Sequence, residues 1–294
     1  MSDTKMLPKQ AEMLRVDQAL IERALEEDIG FGDVTTLSTI PAERIISATL
    51  ITRQRGVVAG LPVARAVFQA VDASLTIEQL VPDGAQVAPN DVLLRLRGSA
   101  RSILTAERTA LNFLGHLCGI ATITTACVAA IAGTSATIVD TRKTTPGLRA
   151  LEKYAVRMGG ARNHRFALDD GILIKDNHIQ AAGGIGAAIS AARQHAPHLL
   201  KIEVECETLA QVREALAARA DVILLDNMRV EQQREAVALI RQHDERILIE
   251  ASGNIGTDPV RLAAVAATGV DFISLGALTH SAPNLDLSLE CTNE

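Results

Sequence analysis

Six short β-rich runs separated by helix-forming stretches constrain this chain more than any other feature of its sequence. ATIVD (136–140), GILIKD (171–176), KIEVEC (201–206), DVILLDN (221–227), RILIEAS (246–252) and DFISLGA (271–277) alternate with segments such as AAISAARQH, TLAQVREALAAR, VEQQREAVALIRQH and DPVRLAAVAATG. Strands joined through helices run parallel, because the crossover carries the chain back to the end from which the previous strand began. The pattern therefore predicts a parallel sheet in a closed or nearly closed α/β barrel, with a doubly wound open sheet as the alternative. No GxGxxG follows any of these runs, which weakens a dinucleotide-binding reading.

Polar residues fall at one place in this repeat. Arg142 and Lys143, Lys175, Glu205, Asp226, the Ser252-Gly253-Asn254 turn and Gly276 all stand at or just after the C-terminal end of a predicted strand. In a parallel barrel those ends open on a single mouth, where catalytic loops converge. One acid after one strand is an ordinary cap or loop residue; the coincidence over successive strands is what points to a site.

Charge sharpens the picture. The chain has a formal net charge of −6, yet residues 140–176 gather Arg142, Lys143, Arg149, Lys153, Arg157, Arg162, Arg165 and Lys175 around His164. Such a concentration repels itself unless an anion is bound. Nucleic acid is a poor candidate for that anion, because an acidic chain with 2% aromatic residues lacks a basic, stacking-rich surface. A small, highly charged ligand fits better. Arg142 and Arg165 offer planar forks for carboxylate or phosphate, while Lys143 and Lys175 act as point charges.

The first half reads differently. Residues 11–28 have an amphipathic helical pattern, and the following segments alternate strands, a helix and Gly/Pro turns. VPDGAQVAPNDVLLRL (81–96) is like the hammerhead of biotinyl and lipoyl carriers, but no lysine occurs between Lys9 and Lys143 to carry a cofactor. A small sandwich supporting the barrel remains. The run 109–139 has no charged residue, but Asn112, His116, Thr122, Thr124, Thr125, Thr134 and Ser135 interrupt it, so it is expected as a buried helix leading into a strand rather than a membrane span. Cys118, Cys127, Cys206 and Cys291 show no metal-ligand spacing, which fits a reducing cytoplasmic compartment. MSDTKMLPKQAEMLRVDQ lacks the apolar core of a secretory leader.

Glu205 and Asp226 beside so many cations fit a divalent metal with phosphate, recognition of sugar hydroxyls, or stabilisation of a developing positive charge. The last belongs to glycosyl-type transfer. ASGNIGT and SLGALTH supply small-residue turns whose N–H groups can hold a phosphate.

ERTALNFLGHLCGIAT, DTRKTTPGLRALEKYAV, GGARNHR, ILIKDNHI, IEVE, LLDN, EASGNI and SLGALTHS together closely resemble the quinolinate phosphoribosyltransferases, the decarboxylating nicotinate-nucleotide pyrophosphorylases of NAD biosynthesis. The resemblance covers nearly the whole chain. It implies an α/β protein with an incomplete α/β barrel and an N-terminal α+β open sandwich domain, divided as 1–117, 118–280 and a C-terminal 281–294 that returns to the first domain. It also implies a homodimer with shared sites, Mg2+ as cofactor, and quinolinate and phosphoribosyl pyrophosphate as substrates, with no nucleic-acid or membrane partner.

Position by position, Arg142, Lys143, His164, Arg165 and Lys175 match the family's pocket for the pyridine dicarboxylate. Thr141 stands with them as a binding residue. Arg108 matches an arginine that reaches into the site of the partner subunit. Glu205 and Asp226 match acids on the ribose and metal side, the metal being held mainly by substrate. Ser252, Gly253, Asn254, Ser274 and Gly276 match the phosphate loops. Lys143, Lys175, Glu205 and Asp226 are the expected catalytic residues. One departure stands in GGARNHR, where Ala161 replaces an expected third glycine and could tighten the loop before His164.

Two rival classes follow from the residues. A barrel aldolase or decarboxylase would use Lys175 as a Schiff-base nucleophile, which requires few cationic neighbours. A non-enzymatic anion-binding protein would keep the fold without the acids, against which the full set of acids and cations argues.

Overall fold

The computed structural model describes residues 14–292; residues 1–13, which carry most of the leader reading and the start of the 11–28 pattern, lie outside them. The first helix, α1 (Gln18–Ile29), starts at Asp17, whose carboxylate accepts the Ala19 N–H, and buries Ile21 and Leu25 one turn apart. α2 (Val34–Thr39) is capped in the same way by Asp33. Then come β1 (Ile45–Thr52), β2 (Gly56–Val57), α3 (Leu61–Val71), β3 (Thr76–Gln79), β4 (Gln86–Val87) and β5 (Val92–Ser99). In the carrier-like segment β4 pairs with β2, antiparallel.

The uncharged run falls mostly within α4 (Ala100–Ala130), a helix of 31 residues that begins at the Ser99 cap. It has the length and apolarity to cross a membrane. Its buried residues, from Ile103 and Ala106 through Leu117, Ile120 and Cys127, instead place it in the core of the fold. It runs unbroken through residues 117 and 118, shared by both halves of the chain.

The second half supplies β6 (Thr137–Val139), α5 (Arg149–Met158), β7 (Ile172–Ile174), α6 (Asp176–Ala182), α7 (Ile185–His195), β8 (Ile202–Cys206), α8 (Leu209–Ala217), β9 (Val222–Asp226), α9 (Val230–His243), β10 (Leu248–Ser252), α10 (Pro259–Ala266), β11 (Phe272–Ser274) and α11 (Ala277–His280). All six expected strands form, and they pair in parallel in the order β6-β11-β10-β9-β8-β7. The order steps steadily around from β7 to β11 and then to β6, without the reversal of a doubly wound sheet. β6 and β7 are left as unpaired edges of an incomplete barrel. The segment before His164 partly fills that gap: the Arg162 N–H donates to the Ile138 carbonyl at 3.0 Å, and Val139 and Arg162 form an isolated parallel bridge.

The chain then returns across α4. Leu285 N–H donates to the Gly115 carbonyl at 2.9 Å, and a Cβ on Gly119 would lie 2.0 Å from the Pro283 carbonyl oxygen, so only glycine admits this crossing. β12 (Leu287–Thr292) follows and pairs antiparallel with β1, completing a four-stranded sheet of order β12-β1-β5-β3. The two edges of the fold are thus tied together by residues that lie more than two hundred positions apart in sequence, such as Ser47 and Thr292.

Candidate active site

The C-terminal ends of the barrel strands enclose a cavity of about 900 Å³. Thr141, Arg142 and Lys143 reach it from β6, Lys175 from β7, Glu205 from β8, Asp226 from β9, Ser252, Gly253 and Asn254 from β10, and Ser274 and Gly276 from β11. His164 and Arg165 enter from the segment that fills the β6–β7 gap. Of the residues expected at the site, only Arg108 is elsewhere: it is exposed on α4 and does not line this chain's cavity.

The basic segment divides by role. Lys153 is fully buried and ion-paired with the equally buried Asp140, and its Nζ also donates to the His164 carbonyl at 3.1 Å. Asp140 accepts further from the His164 N–H at 2.9 Å and from Asn163 Nδ2 at 2.6 Å. Arg157 donates to Asn163 Oδ1 at 2.6 Å, and Arg149 to Thr144 Oγ1 at 3.0 Å and the Phe166 carbonyl. Desolvation pushes the Asp140 carboxyl up and the Lys153 ammonium down, but the several donors around Asp140 favour the ionised pair. Lys153 thus builds the loop that carries His164 and Arg165, while Arg142, Lys143, Arg165 and Lys175 face the ligand space. Ala161 sits buried in this loop without a positive φ, whereas Gly160 takes φ +93° and a Cβ on Gly159 would lie 2.5 Å from Thr124 Cβ. An alanine is therefore accommodated at 161 but at neither of the two glycines before it.

Hydrogen-bonding capacity is left over among the mouth cations. Arg142 Nε is buried with no hydrogen-bond partner. Arg165 donates to the Gly171 carbonyl at 2.9 Å, and burial, then the charge of Arg142, lower its pKa. An orphaned guanidinium donor beside a second guanidinium is a site prepared for a bound anion. Lys175 Nζ contacts Glu205 Oε1 at 2.5 Å, joining two of the expected catalytic residues. A lysine held in an ion pair is a poor Schiff-base nucleophile, which reacts as the free amine. Lys143 crosses Gly276, where a Cβ would stand 3.0 Å from its Cδ.

The loops after β9 and β10 hold one another. Asn227 donates through Nδ2 to Asp226 Oδ2 at 2.7 Å and accepts at Oδ1 from Asn254 Nδ2 at 2.9 Å. Gly253 has φ +82°, and a Cβ there would lie 2.4 Å from Asn227 Oδ1. Asn227 and Asn254 themselves take positive φ, the conformation asparagine tolerates best after glycine.

Comparison with known proteins decides the family. Residues 33–118 match the N-terminal domain and residues 120–290 the C-terminal domain of quinolinate phosphoribosyl transferase. The chain belongs to the quinolinate phosphoribosyltransferase family. Among curated relatives, the probable nicotinate-nucleotide pyrophosphorylase (carboxylating) of Synechocystis is 47% identical over 92% of this chain and 90% of its own. The quinolinate phosphoribosyltransferase (decarboxylating) 1b of Nicotiana tabacum is 41% identical over 94% of this chain and 83% of its own. The solved nicotinate-nucleotide pyrophosphorylase of Francisella tularensis superposes with a TM-score of 0.88 at 40% identity, over 95% of this chain and 98% of that one.

The structure adds residues to this family's site that the sequence reading did not single out. Glu203 and Glu250 are buried one strand layer beneath Glu205 and Ser252, and Glu250 lines the cavity. His164 Nε2 lies 3.2 Å from Glu203 Oε2 and 3.6 Å from Glu250 Oε2, while His164 Nδ1 accepts the Arg165 N–H at 2.7 Å. Burial lowers the His164 pKa, but the Glu203 hydrogen bond and the two carboxylate charges outweigh it, for a net rise. Desolvation and the Glu203 charge push the Glu250 carboxyl up to about 8. These atoms lie within 4.8 Å of one another, close enough for a metal. With Nδ1 accepting the Arg165 N–H, the neutral ring carries its hydrogen on Nε2 and turns it toward Glu203, so that nitrogen has no lone pair to offer a metal. The only hint in the sequence was alternation: IEVE and IEAS each place an acid two residues before a mouth residue.

Proposed function

We propose that this chain transfers the phosphoribosyl group of phosphoribosyl pyrophosphate to quinolinate with loss of carbon dioxide, giving nicotinate mononucleotide and pyrophosphate in NAD biosynthesis. The observation that carries this reading is the mouth itself: Arg142, with its unpartnered buried Nε, stands beside Arg165, Lys143 and Lys175, while Glu205 and Asp226 stand on neighbouring strands. The carboxylating and decarboxylating names of the relatives describe one reaction written from opposite ends.

Arg142 and Arg165 grip the quinolinate carboxylates and hold the ring nitrogen toward the anomeric carbon. His164, fixed at both ring nitrogens, keeps one wall of the pocket in place. Glu205 and Asp226 face the positive charge that develops on the ribose as pyrophosphate leaves, and the Ser252-Gly253-Asn254 turn, Ser274 and Gly276 take the phosphates through backbone N–H groups. With the ring nitrogen quaternised, loss of the 2-carboxylate leaves a carbanion beside that positive nitrogen, and Lys143 and Lys175 stabilise charge there. Glu205 and Asp226 are hard oxygen donors at the rim, a chemistry that fits Mg2+, which would neutralise the departing pyrophosphate.

The test is to supply phosphoribosyl pyrophosphate and Mg2+ with either quinolinate or nicotinate, and to follow carbon dioxide and mononucleotide. Quinolinate should give one carbon dioxide per mononucleotide. Turnover with nicotinate alone would overturn the reading.

The reading extends to a cytoplasmic homodimer, with the chain divided at 117/118 and 280/281. Four free cysteines support a reducing compartment, and burial pushes Cys118 and Cys206 up to about 12, which keeps them as inert thiols. For the dimer, Phe31, Val34 and Leu37 expose apolar surface beside α4, where Asp33 accepts from Thr105 one turn before Arg108. Arg108 then serves the partner subunit's site. Arg108→Ala and Lys175→Ala homodimers should each be nearly inactive. Mixed, about half of the dimers carry both chains, and each such dimer has one intact site, so roughly a quarter of wild-type sites should return. No recovery, with subunit exchange verified by mass, would reject action in trans.

A further inference from the structure

We propose that Glu250 is the acid that protonates the pyridine ring after decarboxylation, with Glu203 and His164 positioning it. The inference rests on the reaction proposed above and concerns a step that the mouth cations leave open. Losing carbon dioxide leaves an electron pair on the ring carbon, and a proton must reach that carbon before carbon dioxide returns to it.

Glu250 is placed for this. It shares a barrel-interior face with Ser252 two residues on, is only 3% exposed, and lines the cavity that holds Arg142 and Arg165. Its Oε1 is buried with no hydrogen-bond partner. A carboxylate oxygen in that position would be costly, whereas an O–H there is a donor waiting for a ligand. The groups facing it are Glu203 and Glu205 from β8, His164 from the gap-filling segment and the Ser274 hydroxyl from β11, while its strand neighbours Leu224 and Phe272 are apolar. Two buried carboxyls this close do not both ionise readily. His164 does not relieve them at Nδ1, because that nitrogen already accepts the Arg165 N–H. The proton therefore stays on Glu250 at neutral pH, in line with the upward push on that carboxyl to about 8. Glu203 has an orphaned oxygen too but does not line the cavity, so Glu250 is the member that reaches substrate.

In the step itself the bond between C2 and its carboxylate breaks, the electron pair stays on C2, and carbon dioxide leaves. C2 then takes the proton from the Glu250 carboxyl, whose O–H bond breaks to give a carboxylate. Solvent returns a proton to Glu250 between turnovers. The rival donors are the ammonium groups of Lys143 and Lys175, which Glu250→Gln leaves in place.

The experiment compares wild type, Glu250→Gln and Glu203→Gln. Glu250→Gln keeps the shape but has no acidic proton, so the carbanion recaptures carbon dioxide. Quinolinate affinity by calorimetry should stay within about twofold, while carbon dioxide release falls on the order of 100-fold and the dicarboxylated mononucleotide accumulates. In wild type, carbon dioxide release should decline as pH rises through about 8. Glu203→Gln removes the neighbouring negative charge and should move that decline to lower pH, which a merely structural role would not do. Carbon dioxide release from Glu250→Gln at the wild-type rate would overturn the proposal. So would a decline that Glu203→Gln leaves in place, a comparison that stands even if Glu250→Gln does not fold. A wild-type protein that fails on quinolinate altogether would instead overturn the proposed reaction, and this step with it.

Discussion

Arg165→Ala is expected to weaken quinolinate binding by roughly 2–5 kcal/mol, on the order of 30- to 4,000-fold, because truncating one partner of a desolvated charge pair leaves the other unpaired. The free protein should lose nothing comparable. Arg165 faces Arg142, and each like charge there disfavours the other, so removing one relieves repulsion in the empty site. Its hydrogen bond to the Gly171 carbonyl is the main contact given up. The expected signature is therefore a large loss of affinity with a melting temperature that holds or rises, as when a site has been kept charged for function at the expense of stability. Calorimetric titration beside thermal unfolding reads both quantities. Unaltered affinity in the folded variant would remove Arg165 from the carboxylate clamp.

Lys153→Met should produce the opposite signature. Lys153 and Asp140 are both fully buried, and breaking such a pair from one side costs about 3–5 kcal/mol, or on the order of 6–20 °C in melting temperature at roughly 2–4 °C per kcal/mol. The pH dependence follows from the sign of the shift. Burial raises the Asp140 carboxyl above its unfolded value, and the variant lacks the lysine that opposes this rise. A raised acid binds its proton more tightly in the folded state, so its contribution is present below the unfolded pKa and is lost as pH rises through the folded one. The deficit of Lys153→Met should thus be largest at neutral pH and narrow as pH falls toward the ordinary carboxylate range. Adding Asp140→Asn should recover part of the stability. A deficit independent of pH, or no deficit, would contradict the buried ion pair. Because Asp140 also holds the His164 N–H, the same variant should bind quinolinate less well.

These two arginine and lysine positions show what a sequence can and cannot distinguish. Arg165 and Lys153 both belong to one basic run, and by composition they are equivalent. In the structure one lines the cavity and the other is a buried strut eleven residues from the loop it supports. The mouth residues themselves were legible, since Lys175, Glu205, Asp226 and Ser252 each stand at the end of a β-rich run, and parallel strands must present those ends together. Glu203 and Glu250 were not singled out, because an acid inside a strand reads as a surface residue until the opposite face of that strand is known to be covered.

The sequence by itself determined the six-strand parallel repeat, the end of the barrel at which chemistry gathers, and the family through motifs such as TRKTTPG and NHR. Each of these is encoded in residues close together along the chain, where the periods of strand and helix and the lengths of the connections leave few alternatives. An incomplete barrel and a returning C-terminal segment were already implied by the family resemblance; only the tertiary structure decided that the opening lies between β6 and β7, that the Arg162–Arg165 segment occupies it, that β12 pairs with β1, and that Glu203, Glu250 and His164 meet beneath the mouth. Those outcomes depend on desolvation and on charges brought together from distant positions, and neither is a property of any local stretch of sequence.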